Sequence, residues 1–325
     1  MTYHAFRSCF ADELEKYLAL RVSEGYQEKS FLNMLSRFDR FCAERGITSL
    51  RFTSEDAAVW LRHMGNEGDR SHYLRIAVSR KFLLYLAQNG HDVYVMRPLA
   101  SRISDFRPHL YSSDEIRRYF RVVDTYFDNF SNYPNRTAPL QLPVLFRLLY
   151  CCGTRINETL GIRKRDVDIG NGTILLHETK NSRERLIVLS HGMQELMSEY
   201  ADKCFYLLGE SNYIFSTRYG TRHDHRNIHA YHRNILEIAG IPFFGGGKGP
   251  RIHDWRHTFA VHSFKQMLDS GRDMYVSLPI LSAYLGHQSI QATEKYVRLT
   301  CELYPYIQEK FQPQLDSIFG EVSPR

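Results

Sequence analysis

Helical hydrophobic periodicity runs through most of the chain and breaks most clearly at residues 91–110, which constrains the fold more than any other feature. Pro98 and Pro108 lie in this stretch. Because proline donates no backbone hydrogen bond and disfavours helix in the residue before it, such a stretch is typical of a connector between folded units. The connector is also basic, since it carries Arg97, Arg102 and Arg107.

The chain length of 325 residues is enough for two ordinary domains. We predict a helical domain at residues 1–95, a basic linker at 96–110 and a second domain at 111–325. Apolar residues of the first domain recur at the spacing of four short helices. The fourth helix runs from about Ser71 to Gln88, and six of its side chains form a core stripe: Leu74, Ala77, Val78, Phe82, Tyr85 and Leu86. Five polar residues fall mostly off that stripe: Arg70, His72, Arg75, Ser79 and Arg80.

The second domain opens with Ser112-Ser-Asp-Glu115, which matches a capping box at a helix start. Its pattern is mainly helical, with predicted helices that include 224–239 and 252–267. One β interruption consists of predicted strands at 174–180 and 186–189. The expected fold is therefore mainly α with a small antiparallel sheet, in which a four-helix N-terminal domain precedes an α+β domain.

Composition narrows the class of protein without identifying it. The net charge of +6 suits an anionic partner but does not require one. Six scattered cysteines without CxxC pairs predict no disulfide framework and no zinc ribbon, and we expect Cys151 and Cys152 to be buried thiols. The polar N-terminus is unlike a signal peptide, and no apolar run approaches the ~18 residues of a membrane span. A cytoplasmic protein without a membrane partner is expected.

Five segments of the second domain carry polar residues where an ordinary core would not favour them. They contain Arg155, Lys180, the pair His253 and Arg256, His287 and, nine residues later, Tyr296. Each residue alone has a simpler structural explanation, such as a surface ion pair between Arg155 and Glu158. Their order and spacing together favour a catalytic site.

This ordered set resembles the tyrosine recombinase (phage integrase) family, including its Xer-like members. The resemblance extends to Gly153-Thr-Arg-Ile-Asn-Glu158, to Arg256-His-Thr-Phe-Ala260 and, in the first domain, to residues 74–86, which resemble a core-binding domain. It covers nearly the whole chain. Two features depart from the family pattern: residues 256–285 are longer than in compact members, and Trp255 stands where leucine is common.

The resemblance implies a DNA strand-breaking and rejoining enzyme that forms a 3′-phosphotyrosine, with no metal and no cofactor. Two arginine forks would hold the non-bridging phosphate oxygens. By resemblance, the catalytic residues are Arg155, Lys180, His253, Arg256, His287 and the nucleophile Tyr296, with Glu158 in support. We assign Lys180 as the general acid for the leaving oxygen, and His253 as the group that assists removal of the tyrosine proton. The sequence also lacks a P-loop motif.

The expected partner is double-stranded DNA with specific core sites, bound near the nucleoid by a homo-tetramer or by a hetero-tetramer with related recombinases. The candidate DNA contacts are Arg70, His72, Arg75, Ser79, Arg80, Arg102, Arg222 and Arg226. A solvated basic face is the alternative for the fourth helix. For residues 221–232 the alternative is a metal site, because His225, His229 and His232 share one helical face.

The segment 303–319 alternates aromatic and apolar residues, so it needs a surface to bury against. The resemblance suggests a neighbouring protomer, and packing on its own domain is the alternative. Two other functions remain open: a type IB topoisomerase-like enzyme that relaxes DNA, and a non-catalytic DNA-binding protein. The biological role, either the integrase or transposase of a mobile element or a Xer-type resolvase, also remains open.

Overall fold

The computed structural model describes residues 6–65, 67–100, 107–128, 138–177, 184–243, 249–287, 289 and 291–311. Contacts between residues divide the chain into two compact units, Met1–Asp105 and Phe106–Arg325. Within the described ranges, no helix combines the length and the apolar character needed to cross a membrane.

The first unit is a bundle of four helices packed around aromatic side chains. The helices are α1 Ala11–Ser23, α2 Glu28–Glu44, α3 Ser54–Trp60 and α4 Asp69–Gln88. At the centre, the Phe38 ring meets the rings of Trp60 and Phe82 edge-on, with centroids 5.4 and 5.7 Å apart. Edge-on aromatic pairs are favourable beyond their buried area, so these rings fix how the helices pack.

The buried face of α4 differs from the predicted one. Leu74 is exposed, whereas Arg75 and Ser79 are buried. Nη2 of Arg75 lies 2.8 Å from Oε2 of Glu67, and Oγ of Ser79 accepts a hydrogen bond from Nε1 of Trp60. The prediction that Arg75 and Ser79 lie off the buried stripe was therefore wrong, because internal partners hold both side chains inside the unit.

The described residues of the second unit form further helices and one sheet. The helices are α5 Ser113–Thr125, α6 Ala138–Cys151, α7 Ile156–Gly161, α8 His191–Cys204, α9 His225–Ile238, α10 Ile252–Asp269, α11 Met274–Leu285 and α12 Gln291–Leu303. Residues 305–311 are also helical. The predicted capping box at the start of α5 is present, since Ser112 and Glu115 each accept from the other's backbone N–H.

The sheet consists of β1 Val167–Asp168, β2 Thr173–Leu176 and β3 Arg185–Val188, in that order and antiparallel. The register pairs Ile174 with Ile187, and both side chains are buried. The predicted fold class, mainly α with a small antiparallel sheet, is thus confirmed. The short strand β1 was not predicted. The predicted end of the first strand, including Lys180, lies outside the described residues.

Helix α10 lies against α6, α11 and α12, and residues all around it are buried. One hydrophobic cluster joins α10, α11 and α12, and it includes Ile307 and Phe311. The described part of the C-terminal segment therefore packs on its own unit, and residues 312–319 lie outside the described residues. Cys152 is buried as expected, but Cys151 is exposed, so that expectation was wrong for one of the two thiols.

Candidate active site

Arg155 lies at the N-terminus of α7, on a turn that begins at Gly153. Gly153 has a positive φ of 58°, and a Cβ there would stand 2.3 Å from the Phe259 ring, so glycine is required both by conformation and by space. Nη1 of Arg155 lies 2.5 Å from Oε1 of Glu158, which also accepts from the Arg155 backbone N–H. The Glu158 carboxylate therefore holds Arg155 in position by binding both the backbone N–H and the guanidinium group of that arginine.

A second arginine, Arg185 on β3, reaches the same carboxylate. Its Nη2 lies 2.8 Å from Oε2 of Glu158, and its Nη1 donates to the Leu285 carbonyl at 3.1 Å. Burial would raise the pKa of Glu158, but Arg185 and Arg155 outweigh it, so the pKa lies below its usual range. Sequence reasoning missed Arg185. The sequence does place Arg185 close to the predicted hairpin lysine. Only the register of the sheet, however, shows that this arginine lies on a strand beside Glu158.

Arg256 on α10 is only 1% exposed. Its Nη1 donates to the Gly153 carbonyl at 2.7 Å, and its Nη2 donates to the Leu285 carbonyl. Leu285 ends α11, and Gly286 follows with φ 64°, so the last carbonyls of the helix turn toward the arginines. Since helix C-termini carry partial negative charge, this end of α11 is a favourable place for guanidinium groups.

His287 follows that turn and lies between Arg256 and α12. Its Nε2 lies 3.3 Å from Nη2 of Arg256, and its Nδ1 lies 2.8 Å from Oγ1 of Thr293. Burial, together with the charges of Arg256 and Arg155, lowers the pKa of His287 to about 3. The ring is therefore neutral at pH 7, and it stacks on Tyr296 with planes 11° apart.

Tyr296 on α12 is 1% exposed, and its hydroxyl lies 3.1 Å from Nδ1 of His257. Burial raises the pKa of Tyr296, and Arg256 and Arg155 partly offset this rise. Sequence reasoning missed His257, although it directly follows Arg256. The structure thus brings Arg155, Glu158, Arg256, His287 and Tyr296 together.

His253 lies one turn before His257 on α10, with ring centroids 4.8 Å apart, but it is exposed. Among the described residues it makes no hydrogen bond to Tyr296. Desolvation by neighbouring groups, with the charges of Arg256 and Lys295, lowers its pKa to about 4. Lys180 cannot be placed, because it lies outside the described residues.

The predicted DNA contacts divide by exposure. Arg70, Arg222 and Arg226 are exposed, and His72 and Arg80 are partly buried. Nη2 of Arg222 donates to the Asn157 carbonyl at 2.5 Å, close to Arg155 in the chain. Arg226 pairs with Asp224, with Nη2 and Oδ2 2.6 Å apart. Arg102 lies outside the described residues.

In the part of the chain that the structure describes, no three His, Cys, Asp or Glu side chains are grouped to hold a metal ion. Of the three histidines on α9, His232 is buried and its Nδ1 lies 2.7 Å from the Tyr119 hydroxyl. A hydrogen bond to a buried tyrosine explains this histidine without a metal.

Comparisons with known proteins agree with this constellation. The chain is 26% identical over 303 residues to the putative integrase/recombinase y4rB of Sinorhizobium fredii, covering 91% of this chain and 95% of that protein. It is 26% identical over 302 residues to the tyrosine recombinase XerC of Chlorobaculum parvum, covering 87% and 85%.

Two solved structures share the fold. A lambda integrase(75-356) dimer bound to a COC′ core site superposes with a TM-score of 0.61 at 20% identity, over 88% of this chain and 94% of that one. XerH recombinase bound to palindromic difH in a post-cleavage complex superposes with a TM-score of 0.62 at 18% identity, over 83% of this chain and 75% of that one. The model of the phage integrase family matches residues 116–302, more than half of the chain. The chain therefore belongs to the phage integrase family, the tyrosine recombinases that break and rejoin DNA.

Proposed function

We propose that this protein is a site-specific DNA recombinase in which Tyr296 attacks a phosphodiester and forms a 3′-phosphotyrosine. The observation that carries the proposal is the meeting of Arg256, His287 and Tyr296. Nη2 of Arg256 lies 3.3 Å from Nε2 of His287, whose ring stacks on the Tyr296 ring, and the charges of Arg256 and Arg155 act on the tyrosine. Phosphoryl transfer depends mainly on positioning and on stabilising charge at the non-bridging oxygens.

Each residue has a distinct task in the proposed reaction. Arg155 and Arg256 hold the non-bridging oxygens. The arriving phosphate charge favours protonation of His287, which then donates to one of these oxygens. Glu158 and Arg185 keep Arg155 in place. The bond to Tyr296 forms as the bond to the 5′ oxygen breaks, and that oxygen takes a proton, for which Lys180 is the proposed donor. The phosphotyrosine conserves the energy of the broken ester, so rejoining to a second strand needs no nucleotide hydrolysis.

We further propose that the protein binds double-stranded DNA at specific core sites as a tetramer and exchanges strands through a Holliday junction. Related folds are known as a dimer on a core site and as a lambda integrase tetramer bound to a Holliday junction. Arg70, His72 and Arg80 on α4, and Arg222 and Arg226 near α9, are the proposed contacts, with Arg102 in the linker. Integration or transposition of a mobile element and Xer-type resolution are both compatible with this reaction.

Covalent adduct formation tests the proposal. The protein is incubated in EDTA with duplexes that carry a randomised core and with DNA that flanks its own gene, then quenched with detergent. We expect a protein–DNA adduct that Tyr296→Phe abolishes and that Tyr231→Phe, a matched change on α9, retains. A 3′ linkage leaves a 5′-hydroxyl end, which polynucleotide kinase labels without prior dephosphorylation. An adduct that persists in Tyr296→Phe would show that another residue is the nucleophile.

Sequencing of the captured ends gives the site, and a plasmid with two copies of it separates recombination from relaxation. A recombinase exchanges the segments between the two sites and accumulates Holliday junctions. Relaxation without any exchanged product would favour a topoisomerase-like enzyme, and specific binding without any adduct would favour a non-catalytic DNA-binding protein.

A further inference from the structure

We propose that His257 is a catalytic residue, which accepts the proton of Tyr296 during cleavage and returns it during rejoining. This inference rests on the proposed function, because it takes Tyr296 as the nucleophile. It assigns to His257 the step that the sequence suggested for His253.

The geometry of the two histidines decides between them. Nδ1 of His257 lies 3.1 Å from the Tyr296 hydroxyl oxygen, within the reach required of a general base. Both side chains are buried, at 4% and 1% exposure, so water does not compete for this contact. His253 is exposed, and among the described residues no hydrogen bond joins it to Tyr296.

The protonation states fix the direction of this hydrogen bond. Burial raises the pKa of Tyr296, so its hydroxyl keeps the proton in the DNA-free protein. Burial, followed by the charges of Lys295 and His253, lowers the pKa of His257 to about 2, so the ring is neutral. We infer that Tyr296 donates and that Nδ1 of His257 accepts, with the ring proton on Nε2.

A base with so low a pKa would be weak, but the site changes when DNA enters. The groups that face His257 are His253, Arg251 and Arg256 from α10 and its N-cap, and Lys295 from α12. A phosphodiester brings negative charge among these cations, and the transition state adds more. Since nearby negative charge favours the protonated form of histidine, the pKa of His257 rises at the moment when the proton must move.

The step is balanced in atoms and charge. The bond from the Tyr296 oxygen to phosphorus forms, the bond from phosphorus to the 5′ oxygen breaks, and the tyrosine proton moves to Nδ1 of His257. The leaving 5′ oxygen takes its proton from a separate donor. In rejoining, a 5′-hydroxyl attacks phosphorus, and His257 returns its proton to the departing tyrosine.

His257→Asn tests the assignment on the core site mapped by adduct capture, because asparagine can accept a hydrogen bond but cannot take a proton. General-base assistance contributes on the order of 10²–10⁴-fold. We therefore expect adduct formation at pH 7 to slow by about 100-fold or more. His262→Asn is the matched control: His262 lies on the same helix with its Nδ1 3.3 Å from the Tyr150 hydroxyl, and its change leaves the rate within about twofold.

The pH profile separates proton transfer from packing. His257 is neutral in the DNA-free protein, so it enters the reaction ready to accept the proton. We therefore expect the wild-type rate to change little between pH 6.5 and 9. Without His257, the rate follows the small fraction of tyrosine that hydroxide deprotonates. The His257→Asn rate should then rise about tenfold per pH unit. A parallel profile with a uniformly lower rate would overturn the inference, because a packing defect has no such slope.

A substrate with sulfur in place of the bridging 5′ oxygen identifies the proton that His257 handles. A thiolate leaves without a proton, so this substrate restores variants that lack the leaving-group acid and fails to restore those that lack the tyrosine's proton acceptor. We expect no rescue of His257→Asn, and rescue would overturn the inference.

His257→Gln guards against a folding defect in the asparagine variant, and thermal unfolding of both variants is compared with wild type. If either folded variant keeps the wild-type rate, the inference is wrong. Absence of a wild-type adduct contradicts the proposed function itself, and the assignment of His257 falls with it.

Discussion

Arg75 and Arg256 are both almost completely buried, yet their charges are satisfied in different ways. Arg75 donates to the carboxylate of Glu67, which neutralises it. None of the described hydrogen bonds of Arg256 reaches a carboxylate, because its partners are the Gly153 and Leu285 carbonyls and the side chains of His287 and Tyr296. A buried cation held by neutral groups keeps its attraction for an anion. Arg256 is therefore suited to binding phosphate, whereas Arg75 stabilises the first unit.

Arg256→Lys should abolish most of the adduct formation while preserving the charge. Lysine offers a point charge in place of a planar fork, so it cannot keep both carbonyl contacts and hold a phosphate oxygen. Loss of one such donor slows comparable reactions by about 10²–10³-fold, and we expect that range for the single-turnover rate. Arg147→Lys, at the pair with Asp124, is the control. A decrease below about tenfold would mean that Arg256 is mainly structural.

Arg75→Met should destabilise the first unit by about 3–5 kcal/mol, because it leaves Glu67 buried beside the more exposed Arg37 alone. Adding Glu67→Gln removes the uncompensated charge, so the double variant should be more stable than Arg75→Met. Urea unfolding followed by circular dichroism measures both changes. Equal stability of the single and double variants would show that the unpaired charge of Glu67 does not cause the loss of stability in Arg75→Met.

At the scale of elements, regular periodicity and helix caps were sufficient to predict the helices. Contacts between residues far apart in the chain could not be predicted from those signals. Helix α10 was predicted at 252–267 and observed at Ile252–Asp269. Strand β1 has two residues, too few to show a period. The contact between His257 and Tyr296 joins residues 39 apart and depends on how α10 meets α12. Burial of Arg75 likewise depends on Glu67, which precedes α4 and contributes nothing to its periodicity.

The base of the β2–β3 hairpin should respond to pH through His177. Its Nε2 lies 2.9 Å from Asp166 and its Nδ1 2.6 Å from Glu184, and these hydrogen bonds, Glu184 first, raise the pKa of His177. A raised pKa means that the stabilisation is complete below about 6.5 and is lost as pH rises through the folded value. We expect β3 amides to lose hydrogen-exchange protection between pH 6 and 9, after correction for intrinsic rates.

His177→Gln should make that protection independent of pH, because glutamine does not titrate. His191→Gln is the control, since His191 is exposed and pairs with Glu195 on α8. Retention of the pH dependence in His177→Gln would assign it to another group.

At the scale of the whole molecule, the histidines of the second unit share one property: most of those with a shifted pKa have a lowered one. Burial lowers the pKa of His232 to about 3 and that of His257 to about 2. His232 packs against buried tyrosines, whereas His257 lies in the active site. In both places burial keeps the imidazole from binding a proton. Folding of this unit therefore excludes protons that the unfolded chain would bind.

This exclusion predicts that the second unit loses stability on mild acidification, before its carboxylates titrate. Below pH 6.5 the unfolded chain binds a proton at each histidine that the folded unit does not. The free energy of unfolding should fall by up to about 1.4 kcal/mol per pH unit for each of the two. The loss of stability continues until the pH nears the pKa values of these histidines in the folded unit. Below about pH 4.5 the lowered pKa of Glu158 adds to the loss.

The two tryptophans make the measurement specific, because Trp60 lies in the first unit and Trp255 in the second. In a chain labelled with 5-fluorotryptophan, urea unfolding followed by ¹⁹F NMR at pH 7.5, 6.0 and 5.0 reports each unit separately. We expect the Trp255 transition to move to lower urea as pH falls, and His232→Gln to reduce that dependence by one proton. If the Trp255 midpoint were unchanged across this range, the buried histidines could not be neutral groups with strongly lowered pKa values. The neutral His257 required for proton acceptance from Tyr296 would then be excluded as well.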